Sequence, residues 1–221
     1  MVKKIYLSPS SQPANKYAVG NTNEQEQCRK IALKTVEALK RCGFEAKTNV
    51  ADGTTMYDRV AESNAWKADA HIPIHTNAFD GNVAGFRGMY YSAAGEGCKL
   101  VKAIVKTVGP ITPGGSDGVS AQPALYEIKN SHAPCAYLEL GFHDNKEEAQ
   151  YIIDHTEDLA EAICKGICNH YGKKYVAPII NTNGTKLYRV VVGSFTKYPN
   201  AVALKKKLQA LGFSDTYIKE N

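Results

Sequence analysis

Apolar residues along this chain recur in two periods that alternate. In residues 24–41, Cys28, Ile31, Ala32, Val36 and Leu39 fall three and four apart, the stripe of an amphipathic helix. Arg41-Cys42-Gly43 then supplies a basic last turn and a glycine stop. Similar spacing predicts helices over 55–66, 97–108, 146–153 and 157–171. Between them lie short runs of strand length at 4–7, 44–49, 70–74, 85–91, 124–129 and 134–141. Strands and helices in alternation predict an α/β fold, a mostly parallel twisted sheet flanked by helices on both faces. Residues 110–122, with Gly114-Gly115-Ser116-Asp117-Gly118, are too polar for a core element and predict an open loop bordering a site.

Beyond residue 172 the pattern changes. Residues 174–186 show no clear period and two turn signals, and read as a linker between a domain over 1–173 and a module over 187–221. Within that module a strand over 187–195, an amphipathic helix over 200–211 and a short strand over 216–219 form a strand-helix-strand unit.

With 221 residues, 43% apolar and 22% charged, the chain has the composition of an ordinary globular protein with room for one well-buried domain and a small remainder. Charge is unevenly placed. Residues 186–221 hold seven basic side chains (Lys186, Arg189, Lys197, Lys205, Lys206, Lys207 and Lys219) against Asp215 and Glu220, so this segment carries the whole net charge of +5. A neutral body with a basic tail suggests an anionic partner for the tail, although Lys205-Lys206-Lys207 also fits a solvated helix face. Met1-Val-Lys-Lys-Ile-Tyr-Leu7 runs into the first strand without the apolar stretch of a signal peptide, and no segment approaches membrane-spanning length. The expectation is a chain made in the cytoplasm, with no membrane insertion and no nucleic-acid partner. Cys28, Cys42, Cys98, Cys135, Cys164 and Cys168 are dispersed through predicted helices and a strand, which fits reduced, buried thiols better than a disulfide framework. Cys164 and Cys168 share a helical face near His170, a hint of a metal, but the CxxC spacing of structural zinc is absent and core packing is the simpler account.

Two positions stand out chemically. Ile74-His75-Thr76-Asn77 sits where the run over 70–74 turns polar, and ligands collect at the carboxyl ends of strands in α/β domains. His75 is therefore a candidate metal ligand, or an imidazole capping a strand end. Glu139 is embedded in the apolar run 134–141, where a charge needs a reason, and no Lys or Arg lies between Asn130 and Asp144 to pair with it locally.

Three stretches together resemble the zinc-dependent N-acetylmuramoyl-L-alanine amidases of the amidase-3 family, found in bacterial autolysins and phage endolysins. The likeness covers residues 1 to about 172. Ala68-Asp-Ala-His-Ile-Pro-Ile-His-Thr-Asn-Ala78 is similar to the family's strand ending in Ile-His-x-Asn-Ala, which makes His75 a metal ligand by resemblance. Residues 134–145 are similar to its Pro-Ala-x-Leu-x-Glu-Leu-Gly-Phe segment, which makes Glu139 the catalytic glutamate. The family's metal-binding glutamate opens the helix after the first loop, implying Glu24, with Glu26 as the other register. The first motif departs from the pattern: where a typical member has Asp-Pro-Gly-His-Gly, this chain has Ser8-Pro9-Ser10-Ser11-Gln12. Ser11 occupies the histidine column without gaps. The third protein ligand is then Gln12 through its carbonyl oxygen, a water held by Ser11, or His143 just beyond the Glu139 strand. His71 lies about 13 Å along the strand from His75, too far to substitute.

The tail carries a resemblance of its own. Leu187-Tyr-Arg-Val-Val-Val-Gly-Ser-Phe195 with residues 201–213 is similar to one repeat of the sporulation-related (SPOR) peptidoglycan-binding domain, whose full form has two strand-helix-strand repeats. A single repeat leaves open sheet edges, which implies pairing of two tails into a homodimer. The resemblance implies a zinc hydrolase, bound to peptidoglycan and acting at the cell wall after release, that cuts the amide between N-acetylmuramic acid and L-alanine. Two alternatives stay open: a non-catalytic wall-binding protein with a degenerate metal site, and a zinc peptidase acting within the stem peptide.

Overall fold

The computed structural model describes residues 2–178, 192–213 and 216–218, which fall into two units, Met1–Pro178 and Ile179–Asn221. In the first unit, strands β1 (Lys4–Pro9), β2 (Glu45–Thr48), β3 (Ala70–Asn77), β4 (Phe86–Tyr90), β5 (Ser116–Ala121) and β6 (Tyr137–Phe142) form one six-stranded sheet in the order β2-β1-β3-β6-β4-β5. Neighbours are parallel except β4 and β6, which run antiparallel.

Each helix follows from its sequence. In α1 (Glu24–Arg41) the stripe Cys28, Ile31, Ala32 and Leu39 is fully buried, and Asn23 caps the first turn by accepting from the Glu26 N–H. Helix α2 (Met56–Ala65) opens with a reciprocal cap, the Thr55 hydroxyl and the Asp58 carboxylate each accepting from the other's backbone N–H. Helix α3 (Glu96–Val108) buries Leu100, Val101, Ile104 and Val108, and crosses α6 (Thr156–His170) at Gly166, where a Cβ would lie 2.5 Å from the Ile104 Cα. Helix α5 (Lys146–Asp154) starts at Asn145 and carries Glu148, whose buried carboxylate accepts from the N–H groups of Gly85 and Phe142 at 2.7–3.0 Å. One acidic side chain thus ties the approach to β4 to the end of β6.

Strand β1 shows how the two faces divide. Ile5 and Leu7 enter the main core with residues of α1, α3 and α6, while Tyr6 faces α2 and hydrogen-bonds Glu62 at 2.8 Å. The same alternation in β3 sends Ile72 and Ile74 into the core and turns His71 and His75 away from it. Full burial of each such Ile or Leu contributes about 1.5–3 kcal/mol.

The α/β class read from the sequence is the observed one, with three local differences. Strand β3 continues to Asn77 because His75 pairs with Glu139 of β6, so His75 lies within the ladder rather than beyond it. Residues 116–121 form strand β5 where an open loop was expected; as an edge strand hydrogen-bonded to β4 alone, it needs no apolar run. Residues 124–129, expected as a strand, give helix α4 (Tyr126–Asn130), which buries the adjacent side chains Glu127 and Ile128. A strand would have sent those two to opposite faces.

In the second unit helix α7 (Tyr198–Ala210) overlaps the helix expected over 200–211. Of the two strands expected there, residues 187–191 and 219 lie outside the described residues, and the described remainders, 192–195 and 216–218, form no strand.

Candidate metal and catalytic centre

The centre lies at the carboxyl ends of β1, β3 and β6. His75 is buried in β3, directly opposite Glu139 in β6, and Tyr137 stacks on its ring with centroids 4.7 Å apart. Glu24 is the first residue of α1, where the helix dipole favours a carboxylate. Its Oε1 accepts from His75 Nδ1 at 2.9 Å and from the Thr76 N–H at 3.3 Å, and its Oε2 accepts from Asn15 Nδ2 at 2.6 Å. The side-chain amide of Gln12 reaches the same nitrogen, 3.4 Å away, while the Ser10 hydroxyl accepts from the Gln12 backbone N–H at 3.3 Å. Gln12, Glu24 and His75 therefore converge on one point, the Nδ1 of His75.

The other candidates sit elsewhere. Glu26 turns back on its own helix start and accepts from Thr22 Oγ1 at 2.6 Å and Asn23 Nδ2 at 2.8 Å. His143 hydrogen-bonds Thr76 through Nδ1, to the hydroxyl at 3.0 Å and the carbonyl at 3.2 Å, and stacks on Tyr17. The loop residue that reaches His75 is Gln12 rather than Ser11.

Glu139 is partly buried, and its Oε2 has no hydrogen-bond partner among the described residues. Burial pushes its carboxyl up to about 7, with the Glu24 carboxylate adding to the rise and His75 and Arg87 opposing it. Arg87 is the distant base that local sequence left open: it faces Glu139 across the β4–β6 pair while its guanidinium is held by Asp117. Burial alone would pull His75 down, but the carboxylates of Glu127 and Glu24 outweigh it and hold the imidazole up at about 10.

Glu127, on α4, belongs to none of the motifs that the sequence displays. It is 2% exposed; its Oε2 accepts from Ser8 Oγ at 2.6 Å and pairs with His71 Nε2 at 2.8 Å, while its Oε1 lies 3.6 Å from His75 Nε2. Burial would raise its pKa, yet the two imidazoles bring it down to about 2. The one local signal was a carboxylate set between Tyr126 and Ile128.

All six cysteines are free and buried, as expected. Among the described residues one group offers three His, Cys, Asp or Glu ligand atoms within 4.8 Å of one another: Cys42, Cys164 and Cys168. His170 stands apart from them, 3.9 Å from Glu96. Cys42 caps the far end of α1, about 27 Å from Glu24 at 1.5 Å per residue, so these thiols are no part of the His75 centre.

An imidazole, an amide and carboxylates gathered at the strand ends of a mostly parallel sheet suit a hydrolase, and comparison with known proteins gives the class, peptidoglycan amidases. The profile of the N-acetylmuramoyl-L-alanine amidases matches residues 5–169, and that of the SPOR domain matches residues 169–219. The chain is 23% identical over 218 residues to the N-acetylmuramoyl-L-alanine amidase CwlM of Bacillus licheniformis, covering 95% of this chain and 82% of that one. To the sporulation-specific N-acetylmuramoyl-L-alanine amidase of Bacillus subtilis it is 22% identical, with 95% and 82% covered. In structure it is similar to the catalytic domain of the amidase CwlV from Bacillus (Paenibacillus) polymyxa var. colistinus, with a TM-score of 0.70 at 20% identity over 78% of this chain and 100% of that one. The chain belongs to the N-acetylmuramoyl-L-alanine amidase family and carries a SPOR domain at its carboxyl end.

Proposed function

We propose that this chain hydrolyses, with zinc, the amide joining N-acetylmuramic acid to L-alanine in peptidoglycan. The observation that carries the reading is the convergence of Gln12, Glu24 and His75 on one point beside Glu139, whose Oε2 has no hydrogen-bond partner among the described residues. The donor set fits the metal: an imidazole nitrogen, a carboxylate oxygen and, once the Gln12 amide turns its oxygen inward, a carbonyl oxygen are all zinc donors that leave one position open. The chemistry supplied by zinc at such a centre is activation of a water near neutral pH and polarisation of the scissile carbonyl.

The remaining steps belong to the chain. Glu139, free of hydrogen bonds at Oε2 among the described residues, takes a proton from the attacking water and returns it to the departing nitrogen of L-alanine. Water oxygen ends on the muramoyl carboxyl, and the stem peptide leaves with a new amino terminus. Arg87, opposite Glu139, favours the ionised carboxylate that accepts the proton. Tyr137 stacked on His75 and Asn15 bonded to Glu24 hold the ligands in place. Labelling of free amino groups after digestion of purified walls tests the reading: alanine is the expected new amino terminus. Another terminal residue would make the chain a stem-peptide peptidase, and no new terminus would make it a wall-binding protein.

In the same reading the SPOR segment holds the catalytic unit at the wall, after release from the cell as a phage endolysin or a host autolysin. Two chains pair through their SPOR segments, which raises the local concentration of both catalytic units at the glycan. Light scattering at micromolar concentration is expected to give about 48 kDa, twice the chain mass of 24.1 kDa. A value of one chain mass would remove the dimer.

A further inference from the structure

We propose that Glu127 is a positioning residue for the metal centre: through Oε1 it holds the Nε2–H of His75 and so directs Nδ1 at zinc. The inference rests on the zinc reading above and adds a residue which that reading does not use.

A carboxylate as buried as Glu127 is costly unless partners compensate it. Half of the compensation is plain. Oε2 takes the Ser8 hydroxyl at 2.6 Å and the His71 ring at 2.8 Å. The other oxygen, Oε1, has no hydrogen-bond partner among the described residues, and neither has His75 Nε2. These two buried atoms face each other at 3.6 Å, an acceptor and a potential donor separated by little more than a hydrogen bond. Elsewhere on the ring Nδ1 is turned to Glu24 and Gln12. The imidazole is thus flanked by a carboxylate at each nitrogen, one beside the ligand-bearing loop and one behind it.

A histidine that binds metal through one nitrogen needs its proton on the other, and a carboxylate there fixes tautomer and ring orientation and raises ligand basicity. Glu127 is that carboxylate by geometry. The period of a strand makes the arrangement possible, because His71 and His75 lie four residues apart on one face of β3 and α4 lays Glu127 against both. His71 and Ser8 anchor the carboxylate from behind. With Gln12 as the third donor, a neutral amide rather than an imidazole, the basicity of His75 bears more of the metal affinity.

The test is zinc affinity of the full chain by competition with a chromophoric chelator, for the unaltered protein, Glu127→Gln and His71→Gln. Glu127→Gln is expected to weaken zinc binding about 10–100-fold. His71→Gln, which removes a partner of Glu127 and leaves the face toward His75, is expected to weaken it several-fold less. Equal affinity in the Glu127→Gln and unaltered chains would overturn the inference and leave the zinc reading standing. An unaltered chain that binds no zinc would overturn both. Nitrogen-15 NMR of histidine-labelled, zinc-loaded unaltered chain needs no variant: a protonated Nε2 and a metal-bound Nδ1 on His75 are expected, and the reverse would refute the proposal.

Discussion

Glu139→Gln is expected to slow lysis of purified walls by about 10²–10⁴-fold, the usual contribution of a general acid–base group, while zinc content stays unchanged. The amide is nearly isosteric with the carboxylate and keeps the β6 ladder, so fold and metal site survive. Only the proposed proton shuttle would be lost. Turbidity loss and elemental zinc on the same preparation read the two quantities side by side. A variant that lyses walls at the unaltered rate would move the proton transfer to another group.

The second large effect falls on the metal. In the proposed centre His75→Ala would remove the one nitrogen donor and leave Glu24 and Gln12, two oxygen donors, to hold the ion. Zinc at stoichiometric concentration is expected to be lost on gel filtration, and lysis with it. Gln12→Ala removes a neutral oxygen donor from an exposed loop, which water can replace, and is expected to weaken zinc binding less than His75→Ala. If Gln12→Ala has no effect on affinity, the third donor is a water beside Ser11 rather than the Gln12 amide.

Long elements were legible because their signals are long. The stripe of α1 repeats through Cys28, Ile31 and Leu39, enough turns for the period to declare itself. Helix α4 spans Tyr126–Asn130, too short for any period, and Leu-Tyr-Glu-Ile reads equally well as strand or helix. Strand β5 was hidden for a different reason: an edge strand with exposed polar residues has the composition of a loop. The carboxyl end of β3 is not marked by hydrophobicity, because the apolar run stops at Ile74 whereas the backbone ladder with β6 continues to Asn77.

The site divides in the same way. His75, where an apolar run turns polar, and Glu139, a charge in an apolar run, lie in stretches whose local pattern marks them, whereas Glu24 stands out only through the resemblance to the family. Glu127 acquires meaning only from partners 56 residues away at His71 and 119 residues away at Ser8, a relation no local pattern carries. Cys42 likewise joins Cys164 across 122 residues, at a sulfur separation of 3.7 Å. In both cases the topology brought together what the chain holds apart.

In the proposed zinc centre Gln12, Glu24 and His75 work together although residues 8–12 lack the histidine of the family's first motif. Elemental analysis of chain purified without added metal, side by side with His75→Ala, decides whether they do. About one zinc per unaltered chain and almost none in the variant is expected. Equal zinc in both would assign the metal elsewhere, to the thiols of Cys42, Cys164 and Cys168, and no zinc in either even after addition would mean that no zinc centre forms.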